Sequence, residues 1–189
     1  MKQYLPFTQQ PYCCVPAAIQ MVMHRNAIPL IAQEEIAYEL GLTVPEKDAY
    51  LFDKARTGSK PSSGWGTQIQ DEKYEPNKIF KKLGVPLSFK QYFIRDLRDE
   101  KGLRKILMLI QESDDDALLC FDYGKLWDLE TKGGHVCVFS SIERNDIYLV
   151  DPERTVPKHR VVSAVKMFRA MDFHGDSNSA GVWVLSKTS

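Results

Sequence analysis

The chain has 189 residues, 43% hydrophobic and 26% charged, proportions that fit one soluble globular domain with a sizeable core. Its 25 lysines and arginines balance 25 aspartates and glutamates, so no net field favours nucleic acid or an anionic membrane. No stretch approaches the roughly eighteen apolar residues of a membrane span, and the first residues lack the apolar core of a signal peptide.

In chain order, residues 1–12 carry Pro6 and Pro11 and read as an extended approach. Cys14 to His24 reads as a helix, with Pro16 in the first turn, where a missing N–H is harmless. It is apolar on nearly every side and is therefore expected to be buried. A second helix is expected from Gln33 to Leu40, stopped by Gly41, and a short one from Glu46 to Arg56. Loop 57–67 follows, and its Trp65 either rims a binding cleft or tucks onto the core. Glu75 to Leu83 reads as a helix ended by Gly84, Leu87 to Phe93 as a strand, and Asp99 to Gln111 as a helix. The acidic run Asp114-Asp115-Asp116 reads as a solvated turn. Strands are expected over Ala117–Tyr123, Val136–Ile142, Asp146–Val150 and Gly181–Leu185. The sum is an α+β chain: a single domain over 1–189, with a helical lobe over about 1–112 and a sheet lobe over about 113–189 sharing one cleft.

The four cysteines, at 13, 14, 120 and 137, have no zinc-site spacing and no evident disulfide framework. They point to a reducing, cytoplasmic compartment, although export without a cleaved signal would leave the same sequence. Cysteine attacks only as thiolate, and a helix N-terminus favours that charge through its unpaired N–H groups and macrodipole. Cys14, two residues before Pro16, belongs at such an end; Cys13 lies in extended chain and should point elsewhere. The competing reading makes both cysteines small buried residues. His135 follows Gly133-Gly134 and opens an apolar strand, where the glycines allow close approach; it is either a base or a core histidine satisfied by a carbonyl. With a turn at Glu143-Arg144-Asn145, residue 137 faces Asp151, and His135 becomes its diagonal neighbour, about 7–8 Å away and within reach for orienting an imidazole. A one-residue slip would put the two on opposite faces. Acyl transfer also needs oxyanion donors, for which the backbone N–H of Cys14 and the side chain of Gln9 or Gln10 are the candidates.

The segment Gln9-Gln10-Pro11-Tyr12-Cys13-Cys14-Val15-Pro16-Ala17-Ala18 resembles the glutamine-then-cysteine helix start of the bacteriocin-processing, double-glycine leader peptidases. Phytochelatin synthase is a more distant cousin of the same design. Gly133-Gly134-His135 with its apolar strand, and the later Asp151-Pro152, resemble that family's second motif, so the likeness spans about residues 5–152. The resemblance implies a papain-like fold with Cys14 as nucleophile, His135 as base, Asp151 as orienter and an upstream glutamine in the oxyanion hole. It also implies a peptide or amide substrate and a thioester acyl-enzyme, with no metal or organic cofactor. Two positions depart from the pattern: Val15 replaces the glycine after the nucleophile, and Thr8 stands where the family has its glutamine, leaving Gln9 as the nearest substitute.

Elsewhere, His24 suits the negative end of the first helix, whereas His159 and His174 read as loop residues without partners. Cys120 and Cys137 read as small buried strand residues, and Trp127 and Trp183 as core or interface anchors. Two other classes compete with the peptidase or amidase: an acyltransferase using the same thioester, and a binding protein on a retained papain-like scaffold. Nothing in the sequence fixes the oligomeric state or the substrate's identity.

Overall fold

In the computed structural model, which describes residues 2–52, 60–131 and 133–188, an extended N-terminal segment leads into helix α1 (Cys14–Arg25). There follow α2 (Gln33–Glu39), the two-residue strand β1 (Thr43–Val44), a 3-10 turn at Glu46–Leu51, β2 (Ser62–Ser63) and α3 (Pro76–Leu83). The rest of the chain is β3 (Leu87–Phe93), α4 (Ile94–Leu97), α5 (Glu100–Glu112), β4 (Asp116–Asp122), α6 (Tyr123–Trp127), β5 (Gly134–Glu143), β6 (Asp146–Val150), β7 (His159–Ser163), α7 (Ala164–His174) and β8 (Gly181–Lys187).

Local chemistry accounts for the element ends. The Glu75 carboxylate accepts from the N–H groups of Asn77 and Lys78 to open α3, which closes at Gly84 with φ +67°. Asp99 and Ser163 cap α5 and α7 in the same way. By contrast α1 has no side-chain cap, so its first N–H groups are unpaired by any such bond.

Six strands form one antiparallel sheet in the order β3-β8-β4-β5-β6-β7. β3, from the helix-rich first half, closes one edge. Burial on both faces explains why β4 is buried at every position. One face carries Leu118, Val136, Val138 and Trp183 against Ile19, Met21 and Val22 of α1 and Phe80 of α3. The other carries Leu119, Phe121, Cys137 and Phe139 against Leu103 and Leu107 of α5 and Met167 and Met171 of α7. The expected α+β organisation holds, and no helix among the described residues is long and apolar enough to cross a membrane.

Several local expectations need correction. The expected helix from Glu46 is a 3-10 turn ending at Leu51, and its residues 53–56, with 57–59 of the following loop, lie outside the described residues. Trp65 does not tuck onto the core: it is 73% exposed and packs edge-on against Tyr12, 5.5 Å between ring centroids. Asp116 is no solvated turn residue. It is 1% exposed, accepts a hydrogen bond from Tyr4 and Asn26, and pairs with Arg25 at 3.0 Å. Residues 152–180, for which the sequence suggested no element, contain β7 and α7, so His159 begins a strand and His174 ends a helix.

Candidate active site

Cys14 is the first residue of α1 and is half-buried. Tyr12, with φ +63°, turns the chain just before it, and the two adjacent cysteines diverge. Cys13 is fully buried against Ala37, Leu42, Val44 and Phe52. Burial pushes its thiol up to about 12, with Cys14 and Glu34 nearby adding to the shift. Cys13 is thus a core residue that points away from Cys14 as expected, although it follows the Gln10–Cys13 turn at ψ 35° and is not in extended chain; all four cysteines are unpaired.

His135 lies at the mouth of β5, 5% exposed. Asp122 fixes the approach: its two carboxylate oxygens accept from the N–H groups of Lys125 and Gly133, at 2.7 and 3.1 Å. The close approach that the glycine pair suggested is made by a side chain, since a Cβ on Gly134 would sit 2.7 Å from the His174 imidazole. The ring of Tyr123 meets the His135 ring edge-on at 4.8 Å, and Phe121 does so at 5.9 Å.

The His135 Nε2 hydrogen-bonds to Asp151 Oδ1 at 2.8 Å. This leaves Nδ1 as the ring nitrogen for a sulfur, with the Cys14 and Cys137 side chains both near enough to act on the imidazole. Burial opposes the imidazolium, but the neighbouring Cys137, Asp151 and Cys14 outweigh it and hold the His135 pKa well above the ordinary value. Burial also pushes the Cys137 thiol up to about 12.

The pairing of His135 with Asp151 depends on a bulge. The β5–β6 hairpin closes at Glu143↔Asp146, so the turn is the two residues Arg144-Asn145 rather than the expected three. From Ile142↔Ile147 alone, that register would carry Asp151 opposite Val138 and put His135 on the other face. Ser140 is the extra residue that restores Val138↔Val150, and hence Cys137 opposite Asp151. The Ser140 carbonyl accepts from the Lys2 N–H at 3.1 Å, and its hydroxyl donates to the Lys2 carbonyl at 2.8 Å, so the N-terminal segment clamps the bulge.

Asp151 is fully buried. Besides His135 it accepts from the Glu153 N–H at 2.9 Å and from Arg160 at 3.1 Å. Burial alone would raise its pKa; the His135 hydrogen bond and charge, the Glu153 N–H and Arg160 together hold it below the ordinary carboxylate value. The two glutamines separate. The backbone N–H of Gln10 and the carbonyl of Thr8 are bonded to Gln33, and Gln10 is exposed. Gln9 faces the loop after Asp151: its N–H donates to the Pro152 carbonyl at 2.9 Å and its amide to Glu153 at 3.0 Å. The amide oxygen of Gln9 is buried without a partner.

Sequence reasoning missed Arg160, Tyr123 and the position of Cys137 beside the imidazole. Only Cys137 carried a signal, because it stands two residues from His135 on a strand and therefore shares its face. The ligand atoms of His135, Cys137 and Asp151 all lie within 4.8 Å of one another. A cation there would have to break the Nε2–Oδ1 bond and approach the Arg160 guanidinium, so this set suits proton transfer better than metal binding.

Compared with known proteins, the chain matches no protein-family model and no curated protein. Its fold does match solved structures. A double glycine motif protease from an AMS/PCAT transporter, crystallised in complex with the leader peptide, aligns over 99% of this chain and 94% of that one, with a TM-score of 0.53 and 11% identity. A protein described as a C39-like peptidase from Bacillus anthracis aligns over 97% and 95%, with a TM-score of 0.56 and 13% identity. The fold is that of the double-glycine peptidases. In this double-glycine peptidase fold, α+β and papain-like as expected, the alignments run through nearly the whole chain and so extend beyond the two sequence motifs.

Proposed function

We propose that this protein is a cysteine peptidase or amidase in which Cys14 is the nucleophile, His135 the base and Asp151 its orienter. What supports the reading is a half-buried thiol at an uncapped helix start, near enough to a buried imidazole to raise its pKa, with the imidazole Nε2 bonded to a carboxylate. The Cys14 thiol proton passes to His135 Nδ1, and the thiolate attacks the substrate carbonyl carbon. The new C–S bond leaves negative charge on the oxygen, which the Cys14 N–H and the Gln9 amide are suited to receive. His135 then protonates the leaving nitrogen, the C–N bond breaks, and water, deprotonated by His135, releases the acyl group from the thioester.

Gln9 rather than Gln10 fills the amide role, because its side chain is directed toward the loop that follows Asp151 while Gln10 is exposed. Exposed Trp65 and half-buried Tyr12 form an aromatic pair next to the Cys13-Cys14 step and suit the rim of a peptide-binding cleft. The leader peptide bound to one structural neighbour is consistent with a peptide ligand here.

The test is incubation with a pooled peptide library, read by mass spectrometry. Cleavage products should appear with the native chain and vanish with Cys14→Ala and with His135→Ala. Quenching at low pH should trap a mass increment on Cys14, and an added amine that captures the acyl group in place of water would make the protein a transferase. A folded native chain that yields neither product nor adduct, where binding to the library is nonetheless detected, would make it a binding protein.

A further inference from the structure

We propose that Arg160 is a positioning residue for the reaction proposed above, fixing the Asp151 carboxylate against the His135 ring. The inference rests on that catalytic reading and adds a residue to it.

Arg160 lies on β7, paired with Leu149 two positions before Asp151. Its Nη1 donates to Asp151 Oδ2 at 3.1 Å and to the Tyr123 hydroxyl at 3.1 Å. The guanidinium plane covers the Trp127 ring, 3.2 Å from its centroid, and the side chain is 16% exposed. These three contacts restrain different degrees of freedom. The Trp127 ring supports the guanidinium from one side, and the two Nη1 bonds, one to Asp151 and one to the Tyr123 hydroxyl, fix the direction in which that nitrogen points. Tyr123 also abuts the His135 ring, so one aromatic side chain touches both the group that holds the carboxylate and the group that receives it.

The arrangement answers a physical need. Asp151 is fully buried and His135 engages only its Oδ1. Without a second donor set, Oδ2 would be an unpaired buried carboxylate oxygen, free to rotate or take a proton. With Arg160 in place each carboxylate oxygen has its own side-chain partner, the imidazole on Oδ1 and the guanidinium on Oδ2. The other titratable groups that act on Asp151 are Cys137 on β5 and Tyr123 on α6; in the loop between β6 and β7 the Glu153 carboxylate is bonded to Gln9 and the Lys158 ammonium to the Pro152 and Glu153 carbonyls.

The test is the pH profile of Cys14 alkylation by iodoacetamide, followed by peptide mapping, in the native chain and in Arg160→Met. Cys13, Cys120 and Cys137 are buried, so labelling reports on Cys14. Arg160→Met should move the acid limb of the profile upward by about one pH unit, as a carboxylate losing a cationic partner becomes easier to protonate. A folded Arg160→Met protein whose profile superimposes on the native one overturns the proposal. Should that variant not fold, Arg160→Lys is read instead, since an ammonium cannot cover Trp127 while serving both oxygen acceptors. A smaller shift in the same direction then supports the proposal, and a superimposed profile overturns it. If the native chain itself shows no labelling at acidic pH that His135→Ala abolishes, the catalytic reading fails and takes this inference with it, an outcome visible before any Arg160 variant is compared.

Discussion

At the scale of single residues, the proposed site depends on Asp151, which holds His135 by Nε2 and leaves Nδ1 as the nitrogen for the Cys14 proton. Asp151→Asn would reverse the donor and acceptor roles on Nε2 and leave Arg160 facing an uncharged amide. Its expected consequence is a fall in kcat/KM of about 10²–10⁴ with a smaller change in KM, measured on whichever peptide the library yields. The pKa shifts also have signs that stability must follow. His135 is raised in the fold, so its contribution is full below the unfolded imidazole value of about 6.5 and disappears as pH rises through the folded value. Asp151 is lowered, so its contribution is present above the unfolded value of about 3.9 and disappears as pH falls through the folded one. The Tm advantage of the native chain over His135→Gln should therefore be largest near pH 5–6 and shrink in alkali, a comparison that calorimetry across pH makes directly.

At the scale of elements, the placement of the site rests on a turn, a bulge and a helix start. The helix start was readable because Pro16 and the apolar run after Cys14 are local signals, and Gly133-Gly134 marked the mouth of β5 in the same way. Register was harder. The sequence reading put Cys137 opposite Asp151 by assuming a three-residue turn; the chain reaches the same pairing with a two-residue turn and one bulged residue, because Arg144 adopts φ +54° and Ser140 takes up the extra position. A bulge clamped by a segment more than a hundred residues away leaves no mark in its own neighbourhood, which is why Ser140 looked ordinary. Ser140→Ala removes the hydroxyl bond to Lys2 and should cost about 1 kcal/mol in urea unfolding, with the Lys2 N–H bond to the carbonyl retained. Gly124 in α6 offers a stronger test of the loop that delivers His135. A Cβ there would fall 1.6 Å from the Thr131 carbonyl oxygen, backbone that cannot swing aside. Gly124→Ala should destabilise the protein by about 1–3 kcal/mol or more, again by urea unfolding, and slow Cys14 alkylation by displacing the approach to Gly133.

At the scale of the whole molecule, one sheet carries the site between two packed faces, and long-range pairs tie the N-terminal segment to it. Arg160 shows why part of the site was invisible in the sequence. It is a charged residue on a short strand with mixed exposure, and only the fold brings it beside Asp151, Tyr123 and Trp127. Helix α7, by contrast, was readable and overlooked: Ser163 is a good cap, and Ala164, Met167, Ala170 and Met171 recur at helical spacing. Asp116 was misread for the reason Arg160 was missed, since its partners Tyr4, Arg25 and Asn26 lie about ninety residues or more away. Arg25→Met should leave that buried carboxylate short of its cation. Discounting for the 22% exposure of Arg25, a cost of about 2 kcal/mol and a Tm lower by about 4–8 °C are expected, read by thermal unfolding at neutral pH.

The central claim is that Cys14 and His135 share a proton in the resting protein. Thiolate absorbance near 240 nm, titrated in the native chain and corrected with Cys14→Ser, measures that sharing without any substrate. A Cys14 thiolate signal that persists to mildly acidic pH and is lost in His135→Ala is the predicted result. A signal that rises only near the pH of an ordinary thiol, about 8.5, and is indifferent to His135, would contradict it.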